Sequence, residues 1–327
     1  MSATAADAKV ETRWRSLLRA SETKRLVVLV LVVGSFGLLN PAFISGASFG
    51  AMFQAMAFIG IVAVGLTLLI VAGEFDLSVG SVAALANVSV ALLMTRAGVD
   101  PILALLMGVG IGALVGICNA VLVLRLGLAS FIATIGMMFI ARGLAVWSIG
   151  AKQIMSVPPA ATDIGAIRVL GMSLSLVVLL VLVAAGAFVL DRMNFGRLIR
   201  ATGGNPEAAR IAGVRTVRVK FLLFVLSGAL AGLSGALTVF HFGSGTFELG
   251  NGWELTAIAA VVVGGTSLLG GSGTVVGTFL GLMILQAIVF GMVAARIDPN
   301  WQMVVTGVIM LLSLSVDVIS RRRRPLA

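Results

Sequence analysis

A chain of 327 residues that is 59% hydrophobic and only 11% charged, with a mean hydropathy of +1.14, is an integral membrane protein with little soluble mass. A soluble domain carries about 25% charged residues, so a large globular domain is excluded. The net charge of +10 does not mark a nucleic-acid binder, because most of the 23 Lys and Arg fall in four places: the arm from Lys9 to Arg25, Arg125, the loop from Arg192 to Lys220, and the tail Arg321 to Arg324. Basic residues gather on the cytoplasmic side of membrane proteins, so these four places are expected to share that side.

Hydrophobic length and Gly/Pro punctuation give about ten spans, placed at 26–39, 49–71, 79–94, 102–124, 129–149, 170–190, 221–240, 254–269, 275–295 and 301–319. Residues 1–25 form a cytoplasmic N-terminal arm, 26–320 a single transmembrane domain, and 321–327 a basic cytoplasmic tail. The first span has signal-peptide-like basic flanks but runs through Leu39 into Asn40-Pro41 without a small-residue cleavage site, so it reads as a retained helix. Cys118 lies in the apolar run 102–124, where a thiol packed among helices is the expectation. A single cysteine allows no intrachain disulfide, and a single histidine, His241, cannot found a multi-histidine metal site. Spans 79–94 and 254–269 fall short of the roughly 20 residues of a perpendicular crossing, which suggests re-entrant or broken helices. An even count of spans puts both termini, Arg125 and the loop 191–220 on one side. The longer opposite loops are then 150–169 and 241–253.

The chain repeats itself. Sliding residues 49–80 onto 221–252 leaves Phe49, Ala57, Gly60, Gly73, Phe75, Leu77 and Gly80 identical to their counterparts and sets Asp76 opposite Glu248. Composition alone gives roughly three matches. Span 49–71 runs inward and 221–240 outward, so the halves, about 49–149 and 221–319, form an inverted repeat with a substrate path expected between them.

Three motifs interrupt the apolar pattern. Gly73-Glu74-Phe75-Asp76-Leu77-Ser78-Val79-Gly80 places two carboxylates between spans, where a charge costs about 2.5–3.5 kcal/mol on insertion scales. Asp76 reads either as an N-cap of span 79–94, with Ser78 or Ser81 nearby, or as a polar contact in the path. Glu74 reads either as a cavity-facing contact or as a salt-bridge partner of intramembrane Arg142. A weaker echo of the motif stands at Gly245 to Gly252. Asn87 and Gln54 are lone polar residues for which interhelical hydrogen bonding competes with ligand contact. The glycine-rich stretch Gly264 to Gly273 lacks the Gly-Lys-Ser/Thr ending of a phosphate loop and reads as a tight turn between closely packed helices. In the loop 191–220, Asn205 is expected to cap a short helix with Pro206 at its first position, Glu207 in its first turn and Gly213 closing it. That helix is either a docking knob or a segment lying on anionic lipid.

At these motifs the chain resembles the permease subunits of bacterial ATP-binding-cassette importers for ribose and related monosaccharides. The resemblance is carried by Glu74-Phe75-Asp76-Leu77-Ser78-Val79-Gly80-Ser81, by Ser130-Phe131-Ile132-Ala133-Thr134-Ile135-Gly136 with Ala141-Arg142-Gly143, by Gly203-Gly204-Asn205 with Glu207-Ala208-Ala209, and by Ala259-Ala260-Val261-Val262-Val263-Gly264-Gly265-Thr266-Ser267 with Gly277-Thr278. It runs collinearly over about 35–320; Glu74 stands where the family tends to carry a small or apolar residue. The resemblance implies an all-α, type II importer-like membrane fold and a second permease chain, identical or not, around a central pathway. It also implies a cytoplasmic ATPase that holds ATP and magnesium, a periplasmic sugar-binding protein, and a bacterial inner-membrane location. This chain itself would bind no cofactor or metal and carry no catalytic residue. Residues expected along the path are Glu74, Phe75, Asp76, Ser78, Asn87, Phe247, Glu248 and Trp253, the aromatics serving as sugar faces or as packing. Gly203, Gly204, Asn205, Glu207, Ala208, Ala209, Arg210 and Gly213 would form the ATPase coupling loop. Another small polar solute, such as a branched-chain amino acid, a nucleoside or a furanosyl signal molecule, is the nearest alternative. An ATP-independent carrier is a more distant one.

Overall fold

A computed structural model describes residues 21–298 together with 301, 304–309, 311–312 and 315. Its helices in chain order are α1 (Ser21–Leu39), α2 (Gly46–Val71), α3 (Val79–Arg96), α4 (Pro101–Leu124), α5 (Ser130–Ile149), α6 (Pro159–Ala166), α7 (Leu174–Arg192), α8 (Asn194–Gly204), α9 (Pro206–Ile211), α10 (Thr216–Phe242), α11 (Trp253–Val263) and α12 (Val275–Ala294). A 3-10 turn, Pro41–Ile44, joins α1 to α2, and a two-residue hairpin, Arg168–Val169 with Met172–Ser173, precedes α7. Seven of the described helices, α2, α3, α4, α5, α7, α10 and α12, are long and apolar enough to cross a membrane.

The elements match the expected spans with informative departures. Span 79–94 is a full 18-residue helix rather than a re-entrant stub. Span 254–269 is the broken one, because α11 stops at Val263 and Gly264 to Thr274 is irregular. Span 221–240 begins earlier, at Thr216, because Arg218 and Lys220 are carried on the helix. The loop 150–169 contains α6, opened by Pro159 in its first turn, where a missing N–H costs nothing. The tenth span, 301–319, lies largely outside the described residues, as do the arm before Ser21 and the tail 321–327. Residues 304–309 are helical.

Helix α10 is the central element, and two lines of contact fix its direction. Ser234 Oγ donates to the Phe58 carbonyl at 2.8 Å, a methyl on Gly65 would sit 3.1 Å from Ser227 Cα, and Lys220 reaches Glu74 just beyond α2. The helix α2 therefore runs antiparallel to α10, as an inverted repeat requires. On another face, α4 packs so closely that a methyl on Gly112 would lie 2.1 Å from the Gly228 carbonyl and one on Gly116 2.4 Å from the Phe224 carbonyl. Small residues spaced four apart let two backbones touch where lipid supplies no hydrophobic drive.

These contacts define two ends. Arg125, the loop of α8 and α9, the start of α10 and the turn after α11 lie at one end, the loop end. The 3-10 turn, α6 and the segment 243–252 lie at the other, the far end. Cys118 corrects its expectation: it lies exposed on the outer face of α4, beside exposed Leu114, Ile117 and Val121, and not packed among helices. Only 22% of the most apolar window of α4 is buried, so the rest of the described chain leaves this apolar face uncovered.

Candidate functional site

The chain breaks twice at corresponding places, after α2 and after α10. Helix α2 ends in a Schellman motif: Gly73 takes φ +82°, its N–H bonds the Ile70 carbonyl at 2.9 Å, and the Glu74 N–H bonds the Leu69 carbonyl at 3.1 Å. The next free donors are satisfied from α5, the Phe75 N–H by Ser130 Oγ at 3.3 Å and the Leu77 N–H by Thr134 Oγ1 at 3.1 Å. The stretch Ser130 to Thr134 thus supplies the side chains that irregular backbone needs away from water.

Asp76 is 1% exposed at the centre of a polar cluster. Its Oδ1 accepts from the Ser78 N–H at 3.0 Å, the Ser78 hydroxyl at 2.5 Å and Asn119 Nδ2 at 3.3 Å, and its Oδ2 accepts from Ser227 Oγ at 3.3 Å. Asn119 Nδ2 also bonds Ser78 Oγ at 2.9 Å. The carboxylate therefore makes an Asx-type turn onto Ser78 and ties the break to α4 and α10. It does not cap α3, whose N-cap, Ser78, carries no side-chain cap bond.

Glu74 does not pair with Arg142. Its Oε1 lies 2.6 Å from Lys220 Nζ, with only 12% and 16% of the two side chains exposed. Sequence reasoning missed Lys220 because it reads as one more member of the basic loop. The signal was its place, five residues into a helix that begins earlier than its apolar run.

Arg142 serves the second break. Its Nη1 donates to the carbonyls of Phe247 and, at 2.7 Å, Leu249, and it interacts electrostatically with Glu254 in the first turn of α11. Glu254 Oε2 lies within 2.5 Å of where a Gly80 side chain would start, and a methyl on Gly250 would lie 2.2 Å from the Gly80 carbonyl. The two breaks thus meet backbone to backbone at Gly80 and Gly250. Asn87 completes the clamp: its Oδ1 accepts from the Thr246 N–H at 2.8 Å, and its Nδ2 donates to Gly235 O and Thr238 Oγ1. Gln54 leaves a buried Nε2 without a partner among the described residues.

The expected path residues therefore divide. Asp76 and Ser78 share one cluster, Glu74 has its own partner, and Asn87 holds the second break. Phe75 packs against the core cluster that contains Leu77, Val79 and Ala231, and Phe247 against the small cluster of Val88, Ala145 and Ile149. Trp253 is half-buried against the cores that join α2 and α11, and Glu248 is exposed. Lys220, Asn119, Ser227 and Glu254 join the site only through the structure, and Ser130 and Thr134, already part of a motif that carries the resemblance, acquire their role there.

At the loop end the short helix forms as the sequence leads one to expect. Asn205 Oδ1 accepts from the Ala208 N–H at 2.9 Å, Pro206 and Glu207 open α9, and Gly213 at φ +84° closes it, with the Val214 N–H on the Ala209 carbonyl at 2.9 Å. Ala209 is buried, whereas Glu207 and Arg210 form an exposed ion pair at 2.7 Å. The last turn of α8 enters a backbone junction: a methyl on Gly203 would lie 1.9 Å from the Val71 carbonyl and 2.7 Å from the Gly271 nitrogen, and the Gly271 N–H bonds Val71 O at 2.8 Å. Displacement of α8 is therefore felt directly at the start of the first break and in the glycine-rich turn.

The family described as branched-chain amino acid transport system / permease component matches residues 48–314. The chain is 34% identical to the ribose import permease protein of Bacillus subtilis (strain 168), over 89% of this chain and 90% of that one. It is 32% identical to the fructose import permease protein of Rhizobium meliloti, over 89% and 84%, and 33% identical to the autoinducer 2 import system permease protein of Enterobacter sp. (strain 638), over 93% and 88%. No solved structure gave a significant match.

Proposed function

Because the chain belongs to the branched-chain amino acid transport system / permease component family, we propose that it is the membrane-spanning permease subunit of an ATP-driven bacterial importer that moves a ribose-like monosaccharide from periplasm to cytoplasm. The observation that carries this reading is similarity to named sugar import permeases along about nine-tenths of the chain. The autoinducer 2 relative supports a second reading, in which the same architecture carries another small polar solute.

In this reading the loop end is cytoplasmic, which agrees with the Lys and Arg it carries, and both termini lie on that side. The path lies at the interface with a second permease chain, and a periplasmic binding protein delivers the sugar. A cytoplasmic ATPase, which holds ATP and magnesium, docks on α9, while this chain performs no covalent chemistry and binds no cofactor. A neutral sugar needs a polar passage and no counter-charge, so the internally satisfied carboxylates Asp76 and Glu74 suit structural work. Force applied to α9 passes through α8 to Gly203 and from there to Val71 and the first break. A parallel route runs through the start of α10 and Lys220 to Glu74. Rocking the first break against the second at Gly80 and Gly250 would alternate access to the path.

The test is uptake of labelled ribose and fructose by vesicles holding the chain with its ATPase and binding protein. ATP-dependent accumulation of a sugar is expected; transport of amino acids and of no sugar would overturn the substrate. Glu207→Arg, on the exposed face of α9, should abolish association with the ATPase and ATP-dependent uptake together. Uptake and association unchanged in that variant would favour an ATP-independent carrier.

A further inference from the structure

At the loop end, where the lipid-facing side of α4 meets the first turns of α10, a cavity of about 390 Å³ is lined by Ala120, Val121, Leu124, Phe221 and Leu222 and flanked by Arg125 and Arg218. Its walls are apolar. Among the described residues neither guanidinium has a hydrogen-bond or ion-pair partner, as holds also for Arg192 and Arg215 of the same end, while Arg200, Arg210 and Lys220 are paired. Leading away from the cavity along α4 is the exposed row Leu114, Ile117 and Val121, on the apolar face that the rest of the described chain leaves uncovered. An apolar slot that opens on lipid and is rimmed by two unpaired cations where the helix leaves the apolar layer matches one chemistry: an acyl chain below an anionic headgroup.

We propose that this cavity binds an anionic phospholipid, its phosphate on Arg125 and Arg218 and one chain along Leu114, Ile117 and Val121. Guanidinium forks suit phosphate oxygens, and arginines near an anionic bilayer surface gain from its potential. A second copy of this chain is the poorer occupant, because a two-fold contact through this face would bring the same arginines together. The site also reaches the transport machinery. Phe221 and Leu222 line the cavity from the turn of α10 that carries Lys220 to Glu74. Arg218 and Leu222 also line a neighbouring cavity of about 440 Å³ that extends to Ala212, Gly213 and Val214 behind α9. A lipid seated here braces the first turns of α10 against α4, so it stabilises the segment through which the coupling helix addresses the first break.

The experiment reads lipid binding on the purified full-length chain, with neither sugar nor ATP present, so its outcome is separate from that of the transport assay. Thermal unfolding in neutral detergent is followed against phosphatidylglycerol, phosphatidylcholine and inorganic phosphate. Phosphatidylglycerol should raise the midpoint, and the other two should not. Removing one arginine, as in Arg125→Gln or Arg218→Gln, should weaken phosphatidylglycerol binding by about fivefold, equivalent to ~1 kcal/mol per cation near an anionic surface, and removing both by about 25-fold. Arg125→Lys with Arg218→Lys should retain most of the response. Equal responses to phosphatidylglycerol and phosphatidylcholine, an equal response to free phosphate, or an undiminished response in the double glutamine variant would each overturn the proposal. So would loss of ATPase co-purification in that variant with its lipid response intact, which would assign the arginines to the ATPase.

Discussion

The two helix breaks occupy corresponding places in the repeat and are held differently. The first, 72–78, combines its own turns with side chains of its neighbours: a Schellman motif closes α2 and an Asx-type turn on Asp76 folds the chain towards α3, while Ser130 and Thr134 of α5, Asn119 of α4, and Ser227 and Lys220 of α10 tie it to the helices around it. The second, 243–252, contributes few side chains to its own support. It is held from outside, by Arg142 on its carbonyls, Asn87 on its Thr246 N–H, and a backbone bridge between Ile154 and Gly245. The first break is also the one in backbone contact with the loop end, through Val71, Gly203 and Gly271. In the proposed importer that contact suits the first break to transmission and leaves the second as the gate.

The largest effect expected from breaking that contrast is at Lys220. Lys220→Met leaves the Glu74 carboxylate unpaired with 12% of its side chain exposed. Removing one partner of a buried pair costs about 3–5 kcal/mol, so the variant should melt far below the parent chain. The exchange of Glu74→Lys with Lys220→Glu should recover most of the loss. Failure of the exchange to recover anything would mean that local packing, and not the pair, holds the first break.

Arg142→Gln tests the second break. Hydrogen bonds from a charged group are worth about 1.5–3 kcal/mol, and this substitution removes the donor to two carbonyls. Stability should fall less than in Lys220→Met, but access should change more. In a Cys118→Ser background, Leu249→Cys should react faster with an impermeant maleimide when Arg142 is replaced, and should not when Lys220 is. Equal labelling in both variants would erase the distinction between a gate and a transmission element.

How much of this was legible beforehand follows the same division. Features written in local residue order were readable: α9 with its Asn205 cap and Gly213 stop, the antiparallel run of α2 against α10, and most of the described apolar spans to within a few residues. The identities of Gly73, Phe75, Leu77 and Gly80 with Gly245, Phe247, Leu249 and Gly252 located both breaks. Partners brought together by packing were not readable. Arg142 is far from Phe247 in the chain and Lys220 far from Glu74, and with few charges in the apolar region sequence could only offer the carboxylates to the one cation already inside a span. Lys220 belongs to α10 only because that helix starts at Thr216, and apolar periodicity cannot see a helical turn made of polar residues. Asn119 and Ser227 each sit singly in an apolar run, and a lone polar residue carries no sign of which polar cluster it will join.

A smaller effect is expected where the breaks touch. A methyl at Gly80 would lie 2.2 Å from the Gly250 carbonyl and 2.5 Å from Glu254 Oε2, so Gly80→Ala must push the two segments apart. Overpacking of this kind costs about 1–3 kcal/mol. Thermal melting should show that loss, and Leu249→Cys should label faster, as is expected with Arg142→Gln. A Gly80→Ala chain with parental melting and labelling would mean that the contact between the breaks opens without cost, and then neither break constrains the other.

The smallest effect belongs to the helix that addresses only the first break. A cap of the kind Asn205 provides is worth about 1 kcal/mol, and Asn205→Ala removes it. A helix of the six residues Pro206–Ile211 cannot persist on propensity alone, because nucleation is costly and packing offers only buried Ala209 to hold it. The global melt should therefore barely move while amide exchange at Ala208 and Ala209 accelerates. Association with the ATPase should weaken more than the stability loss alone would give, since docking must then order the helix as well. The second break, two elements away, should keep its maleimide reactivity. If Asn205→Ala also changed labelling at Leu249→Cys in the absence of the ATPase, the loop end would already be coupled to the gate at rest, and the separation of roles between the two breaks would fail.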